Sequence, residues 1–420
     1  MAKQIAQSSA PDDSPKPEQR RWTVMVFMGA GPIEGDAPLE QFLNEDIAEM
    51  ERVITSGGAN AKVNVFYEFH GLGRPGRKWV GVDREVQSLP RSGSAVDSQP
   101  ILAFIDSSLT RAHHRAGDYS VLVLWGHAYQ FAIGRQRTVS GVDALDVGEF
   151  ADALRQFQAR MQRQYDITPE RARLDIVGFD ACDISTLELA NQLEPFARYL
   201  IGSQIGIPLP GWPYDLILER LARPRGEWTM TPAEFGRFAV RKFCDEYSEL
   251  GRDGRPRPVS HTLLDLAKAP QAFDAAELLA SAIARACADD SDELEIVLEQ
   301  FDSSQTIVGK PFVDVADFCL NLSRHSGSAA VRARAARLGD ILIRPSFRRQ
   351  SGEAGRPGSL IVEHGRNAHQ TAKLHGVSLY APHILGPGYD WRTSHFWYNK
   401  FDFTGETFWS RLVHILAEGN

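Results

Sequence analysis

The sequence predicts an α/β fold with a largely parallel central sheet. Two observations lead there. Apolar runs of strand length alternate with stretches of helical spacing along the first half of the chain. Two of those runs also end in side chains able to do chemistry, His127 and Cys182. In open α/β sheets the carboxyl edge of the strands is where ligands bind.

The elements follow in order. Residues 1–20 are polar and rich in Ser, Pro, Gln and charge, and read as a disordered arm. Trp22 to Met28 is a strand closed by Gly29 and Gly31. Leu39 to Ile54 has helical spacing, with Leu39, Phe42, Leu43, Ile47 and Met50 on one side. Val63 to Tyr67 is a second strand. Gly71 to Gly81 is rich in Gly and Arg and reads as a loop or hairpin. It is no phosphate loop, because the Lys-Ser/Thr is missing. Ile101 to Arg111 is helical, and Tyr119 to His127 is a strand that ends in an imidazole. Gly134 to Asp143 reads as a polar, basic loop, and Val147 to Met161 as a helix.

Ile176 to Phe179 is a short buried strand that runs into Asp180, Ala181 and Cys182. A helical pattern follows, with Ile184, Leu187, Leu189 and Leu193 as its apolar positions. Tyr199 to Ser203 is one more strand, and 208–214 is a rigid, proline-rich loop. The second half is mainly helical. Thr231-Pro-Ala-Glu234 has capping-box spacing with proline at the first helical position. Helical patterns recur at 272–299 and 329–342, short strands at 259–264, 359–363 and 376–381, and a last amphipathic helix at 406–417. No repeat and no clean linker interrupts the chain. The expected division is therefore an arm (1–20), a core (21–225) and a mainly helical part (226–420) that completes the same domain.

Composition narrows the class. Apolar residues make up 43% and charged residues 24% of 420, which is ordinary for a soluble globular protein. A net charge of −8 argues against a general nucleic-acid binder. No apolar run reaches the ~18 residues of a membrane span. Met1 to Arg20 lacks the apolar core of a secretory signal. Cys182, Cys244, Cys287 and Cys319 are far apart and show no paired spacing. Free thiols in a reducing, cytoplasmic setting are the expectation.

A thiol and an imidazole at one sheet edge form a nucleophile–base pair. Taken singly, a cysteine is more often a small buried hydrophobe, and a strand-end histidine a hydrogen-bonded structural group. The pairing is what reverses both readings. Cys244, Cys287 and Cys319 lie in amphipathic helical patterns and read as structural. His364 and His375 also precede glycine, and His375 is expected to begin a late strand rather than to act on substrate. Trp125 and Trp212 read as packing residues.

Four blocks resemble the clostripain family of cysteine peptidases, within the caspase-like group. They are Trp22 to Met28, Val123-Leu-Trp-Gly-His127, Gly178-Phe-Asp-Ala-Cys-Asp-Ile-Ser-Thr-Leu-Glu-Leu-Ala190, and Ile201-Gly-Ser-Gln with Pro210-Gly-Trp-Pro-Tyr214. The resemblance is good over about 22–220 and weaker at 375–382 and 401–416. It implies a caspase-like three-layer α/β/α sandwich with a helical C-terminal elaboration. It also implies a cysteine endopeptidase. Cys182 is then the nucleophile, His127 the general base and acid, and the amides of Ala128 and Cys182 the oxyanion donors. The 55-residue separation of His127 from Cys182 follows the caspase ordering, about 50 residues. Asp180 resembles the floor of the pocket that selects Arg or Lys before the cut, since a partly buried carboxylate pairs bidentately with guanidinium.

Two positions depart from the family pattern. Ala128 stands where Gly is usual, and is strained if that position needs positive φ. Gln204 stands where Glu is frequent, which removes a charge near the expected substrate pocket. No cofactor is required. Some relatives use calcium, but no compact Asp/Glu ligand loop is present in the sequence. Relatives are often zymogens cut between His and Cys. Arg135 and Arg137, in Gly134 to Gly141, offer a processing site for the enzyme itself or for an upstream protease. The implied partners are protein or peptide substrates with basic cleavage sites, not nucleic acid or membrane. A role in stress or defence fits a restrained bacterial peptidase. The rival reading is a non-catalytic interaction module that kept the fold and lost turnover, with Ala128 as its sign.

Overall fold

The structure is a computed structural model. It describes residues 20–30, 39–55, 62–70, 74–90, 97–129, 131–138, 141–223, 229–248, 257–343, 358–367, 371–385, 391–403 and 407–418. The first half contains β1 (Trp22–Gly29), α1 (Glu40–Thr55), β2 (Val63–His70), β3 (Gly76–Trp79), β4 (Gln87–Ser88), α2 (Ser98–Arg111), β5 (Tyr119–Gly126), β6 (Ala128–Tyr129), β7 (Ala132–Thr138), β8 (Gly141–Asp146), α3 (Val147–Tyr165), β9 (Leu174–Asp180), α4 (Leu187–Leu193) and β10 (Ala197–Gly202). The second half contains α5 (Tyr214–Ala222), α6 (Pro232–Glu246), β11 (Ser260–Asp265), α7 (Ala269–Asp289), α8 (Ser291–Ser303), β12 (Phe312–Asp314), α9 (Val315–His325), α10 (Ala329–Leu342), β13 (Ile361–Arg366), β14 (Ser378–Tyr380), α11 (Trp391–Tyr398) and α12 (Phe408–Glu418).

One sheet organises these elements, in the order β13-β11-β10-β9-β5-β1-β2-β3-β4. Its centre, β10-β9-β5-β1-β2, is parallel, and both flanks are antiparallel. The central strands are apolar on both faces because both faces are covered. Val24, Val26 and Met28 of β1 pack on the side of α1, α5 and α6, while Met25 and Phe27 pack on the side of α2, α3 and α4. The result is a three-layer α/β/α sandwich. β11 and β13, both from the second half, hydrogen-bond into this same sheet.

The structure moves several expected elements. Most of the expected loop is strand: β7 and β8 pair antiparallel over residues 134–138 and 141–143, with β6 on the outer side of β7, and residues 139–140 lie outside the described residues. The helix after the thiol begins only at Leu187, where Thr186 accepts a hydrogen bond from Leu189 N. The 272–299 pattern is two helices, α7 and α8, separated at Asp290, which caps the second. β14 leaves the main sheet and pairs with β12 instead. The capping box at Thr231 and Glu234 forms as expected. Residues 1–19 of the expected arm lie outside the described residues. Arg20 is described, and donates to the Tyr119 hydroxyl at 3.0 Å. No described helix is long and apolar enough to cross a membrane.

Candidate active site

The parallel pairing of β5 with β9 sets the site. Their register places Trp125 opposite Asp180. His127 and Cys182 each lie two residues beyond that shared rung, so the imidazole and the thiol leave adjacent strands at the same carboxyl edge. Gly126 makes the exit from β5. Its φ is +143°, and a Cβ there would lie 2.5 Å from the Gly29 carbonyl oxygen, so any side chain would collide with β1. Ala128 keeps an ordinary φ. The left-handed demand falls on the residue before His127, not on the one after it, and alanine at 128 carries no backbone strain.

Cys182 is partly buried. Its Sγ accepts a hydrogen bond from Ile207 N at 3.4 Å. Burial pushes the thiol up, the Asp183 carboxylate adds to this, and the Ile207 amide and Lys310 oppose it. Cys244 and Cys287 are pushed further, to about 12 and about 11, again by burial first. Cys319 is wholly buried, and its thiol is raised in the same way.

The residues after the thiol form a strapped turn rather than a helix. Asp183 sits in the left-handed region at φ +56°, a conformation Asp tolerates better than most residues. Ile184 N and Ser185 N both donate to the Ser203 carbonyl at 2.8 and 2.9 Å, at the end of β10. On the other side Ser378 N donates to Ser185 O at 2.9 Å, and Ser185 Oγ donates to Gly376 O at 2.7 Å. The Asp183 carboxylate is 2% exposed and pairs with Lys310 Nζ at 3.0 Å. Burial raises the Asp183 carboxyl, and Lys310 offsets part of the rise.

Cys182 opens into a cleft of about 1130 Å³. Ala128, Asp183 and Lys310 line it beside the thiol, and Ile205 to Pro210 form a mainly apolar wall. Asp180 does not line this cleft. It is 3% exposed and lies against Gly211, Trp212 and Tyr214. Its Oδ2 accepts hydrogen bonds from Trp212 N at 3.0 Å and from the Tyr214 hydroxyl at 3.1 Å. Its Oδ1 has no hydrogen-bond partner among the described residues. Asp46 is also buried, held by Trp125 Nε1 at 2.6 Å. Burial, and then the charge of Asp180, push its carboxyl up. Burial raises Asp180 as well.

The expected effect of Gln204 is corrected by its position. It is 1% exposed and does not line the cleft. Its amide donates to Asp314 Oδ2 at 2.9 Å and to Ser378 Oγ at 3.1 Å, and accepts from Gly376 N at 2.6 Å. A glutamate there would face Asp314 as a second buried carboxylate, so the amide suits this core better. His375 pairs with Asp314 at 3.1 Å. Burial works against a proton on His375, but the Asp314 carboxylate outweighs it and holds the ring above its usual range. Trp212 is 2% exposed and packs edge-on against His261, a packing role as expected. The backbone at Arg135 and Arg137 lies in β7, so the proposed processing segment is strand up to Thr138, and residues 139–140 lie outside the described residues.

Sequence reasoning missed Lys310, and missed Ile207 as the donor to the thiol. Gly309-Lys-Pro311 carries a turn signal. Nothing local links it to a residue 127 positions earlier, since pairing at that range is a property of the fold.

Comparison with known proteins comes from two directions. A family model described as the clostripain family matches residues 32–329. The fold is similar to that of a secreted C11 cysteine protease from Bacteroides thetaiotaomicron in complex with an irreversible peptide inhibitor. The identity is 17%, with 91% of this chain and 99% of that chain covered at a TM-score of 0.58. It is also similar to an inactive zymogen C11 protease from Parabacteroides distasonis, at 15% identity, 95% and 99% coverage and a TM-score of 0.59. At these identities the likeness is one of fold. No curated protein matches the chain. The cytoplasmic expectation draws no support here, because the Bacteroides protein is described as secreted.

Proposed function

This chain belongs to the clostripain family of cysteine peptidases, and on that premise we propose an endopeptidase that cleaves after Arg, and less strongly Lys, through an acyl-enzyme on Cys182. The observation that carries the reading is the β5–β9 register, with His127 and Cys182 each two residues past the Trp125–Asp180 rung.

In the proposed cycle His127 removes the thiol proton as Cys182 Sγ attacks the scissile carbonyl carbon. The amides of Ala128 and Cys182 hold the oxyanion. The tetrahedral adduct collapses, the C–N bond breaks, and His127 gives its proton to the departing amine. Water, deprotonated by His127, then hydrolyses the thioester and frees the sulfur. The ordinary φ of Ala128 supports this reading over the non-catalytic module, since it removes the expected strain.

Basic specificity is assigned to Asp180. Its unpartnered Oδ1 is the acceptor a guanidinium would use once the 208–214 segment admits it. Asp183 Oδ1 also has no hydrogen-bond partner among the described residues, but its Oδ2 is already paired with Lys310. Proteolytic activation at Arg135 or Arg137 remains part of the proposal, supported by the zymogen state of the Parabacteroides relative. The experiment is cleavage of Arg-containing peptides by wild type, Cys182→Ala and His127→Ala, before and after limited proteolysis. Loss of turnover in both variants is expected, and retained turnover in either overturns the dyad.

A further inference from the structure

The cleft wall beyond the nucleophile keeps apolar side chains in water. Leu209 is 43% exposed and Val308 92% exposed, and both border the cleft that holds Cys182. A single exposed apolar residue needs no explanation. These two share one cleft, and the second sits on a built support.

Val308 is the tip of the turn Ile307–Lys310. Lys310 N donates to Ile307 O at 2.9 Å, and Gly309 supplies the left-handed third position at φ +67°, as a type II turn requires. The base of the turn is closed by Ile307 N donating to Phe312 O at 2.9 Å and by a bridge between Thr306 and Val313. Its far end is fixed by the Lys310–Asp183 ion pair at 3.0 Å, one residue from the thiol. The turn chemistry explains Gly309. It gives no reason for valine at the tip.

Sheet order gives the direction of the substrate. β9 lies between β5, which carries His127, and β10, which leads into Ile205 to Pro210. His127 must hand a proton to the departing amine, so the leaving side of the peptide lies toward β5. The acyl side therefore lies toward β10 and the Ile205 to Pro210 segment that carries Leu209, and the turn borders the same cleft.

We propose that Leu209 and Val308 form a subsite for an apolar side chain on the acyl side of the scissile bond, one or two residues before the residue at the cut. The substrates are then extended peptides with an apolar residue just ahead of a basic one. This rests on the peptidase reading above.

The test is a set of peptides with Arg fixed at the cut and Leu, Val, Ala or Ser placed at the two positions before it and the two after it. On the acyl side, Leu or Val should raise kcat/KM about tenfold over Ser. Leu209→Ser and Val308→Ser should each shrink that ratio several-fold, whereas Leu278→Ser, at a 48% exposed site on α7, should not. The same peptides, fluorescently labelled, are titrated against Cys182→Ala protein, and the affinity ranking should match. Equal affinities, a preference confined to residues after the cut, or a ranking that survives both substitutions overturns the subsite. Absence of cleavage by wild type counts against the peptidase reading alone, because the binding ranking still decides this one.

Discussion

Two acids flank Cys182, and the structure treats them oppositely. Asp180 ends β9 and turns into the layer of α1 and α5, where its neighbours are the Trp212 amide, the Tyr214 hydroxyl and a second buried acid, Asp46. Asp183 lies three residues on in a left-handed turn, faces the cleft and meets a cation. Both are almost fully buried, at 3% and 2%, so burial does not separate them. Their partners do. Asp180 has only neutral donors, whereas Lys310 compensates Asp183. Residue type and spacing from the thiol therefore say little about role. The backbone between them decides which side of the sheet edge each carboxylate meets.

The comparison has meaning only if Cys182 is the reacting centre. Cys182→Ala or His127→Ala should lower kcat/KM on an Arg peptide by at least about 10⁴-fold, with an unchanged circular dichroism spectrum. The two acids should then separate. Asp180→Asn should cost about 2–4 kcal/mol in kcat/KM for Arg over citrulline at the cut, the cost of truncating one partner of a buried charge pair. Asp183→Asn should leave the Arg-to-citrulline ratio within twofold. An equal loss in both variants would erase the distinction.

Stability against pH sharpens it further. Asp46 and Asp180 have carboxyls raised by burial above their unfolded value, which is about 3.9. Such groups contribute stability that is fully present below that value and is lost as pH rises through the folded pKa. Urea midpoints should therefore fall from pH 5 to pH 8, and Asp46→Asn should flatten the fall. A steeper fall in that variant would contradict the buried-acid account. The smallest effect concerns the thiol. Asp183 raises it and Lys310 lowers it, so Asp183→Asn should shift the pH profile of Cys182 alkylation downward, with a few-fold faster reaction at neutral pH.

Much of this was legible in the sequence. Apolar runs that end in Gly126-His127 and Asp180-Ala-Cys182 place His127 and Cys182 just past strand ends, because a buried parallel strand must be apolar on both faces. The onset of α4 was not legible. Ile184 and Leu187 have helical spacing, but the Ser203 carbonyl captures the amides of Ile184 and Ser185 first. The β7–β8 hairpin was missed because its sequence is polar and basic, and pairing between polar strands leaves no apolar alternation to read. Gln204 looked like a lost pocket charge. Only the distant Asp314 and Ser378 explain it.

The turn after the thiol is tied on one side to residue 203 and on the other to residues 376 and 378. This has a consequence during synthesis. A chain growing on the ribosome emits Cys182 early, yet it has no partner for the Ser185 carbonyl until nearly two hundred further residues have been made. A transcript cut short before codon 376 would encode the thiol, the imidazole and the central strands without the far half of the clasp.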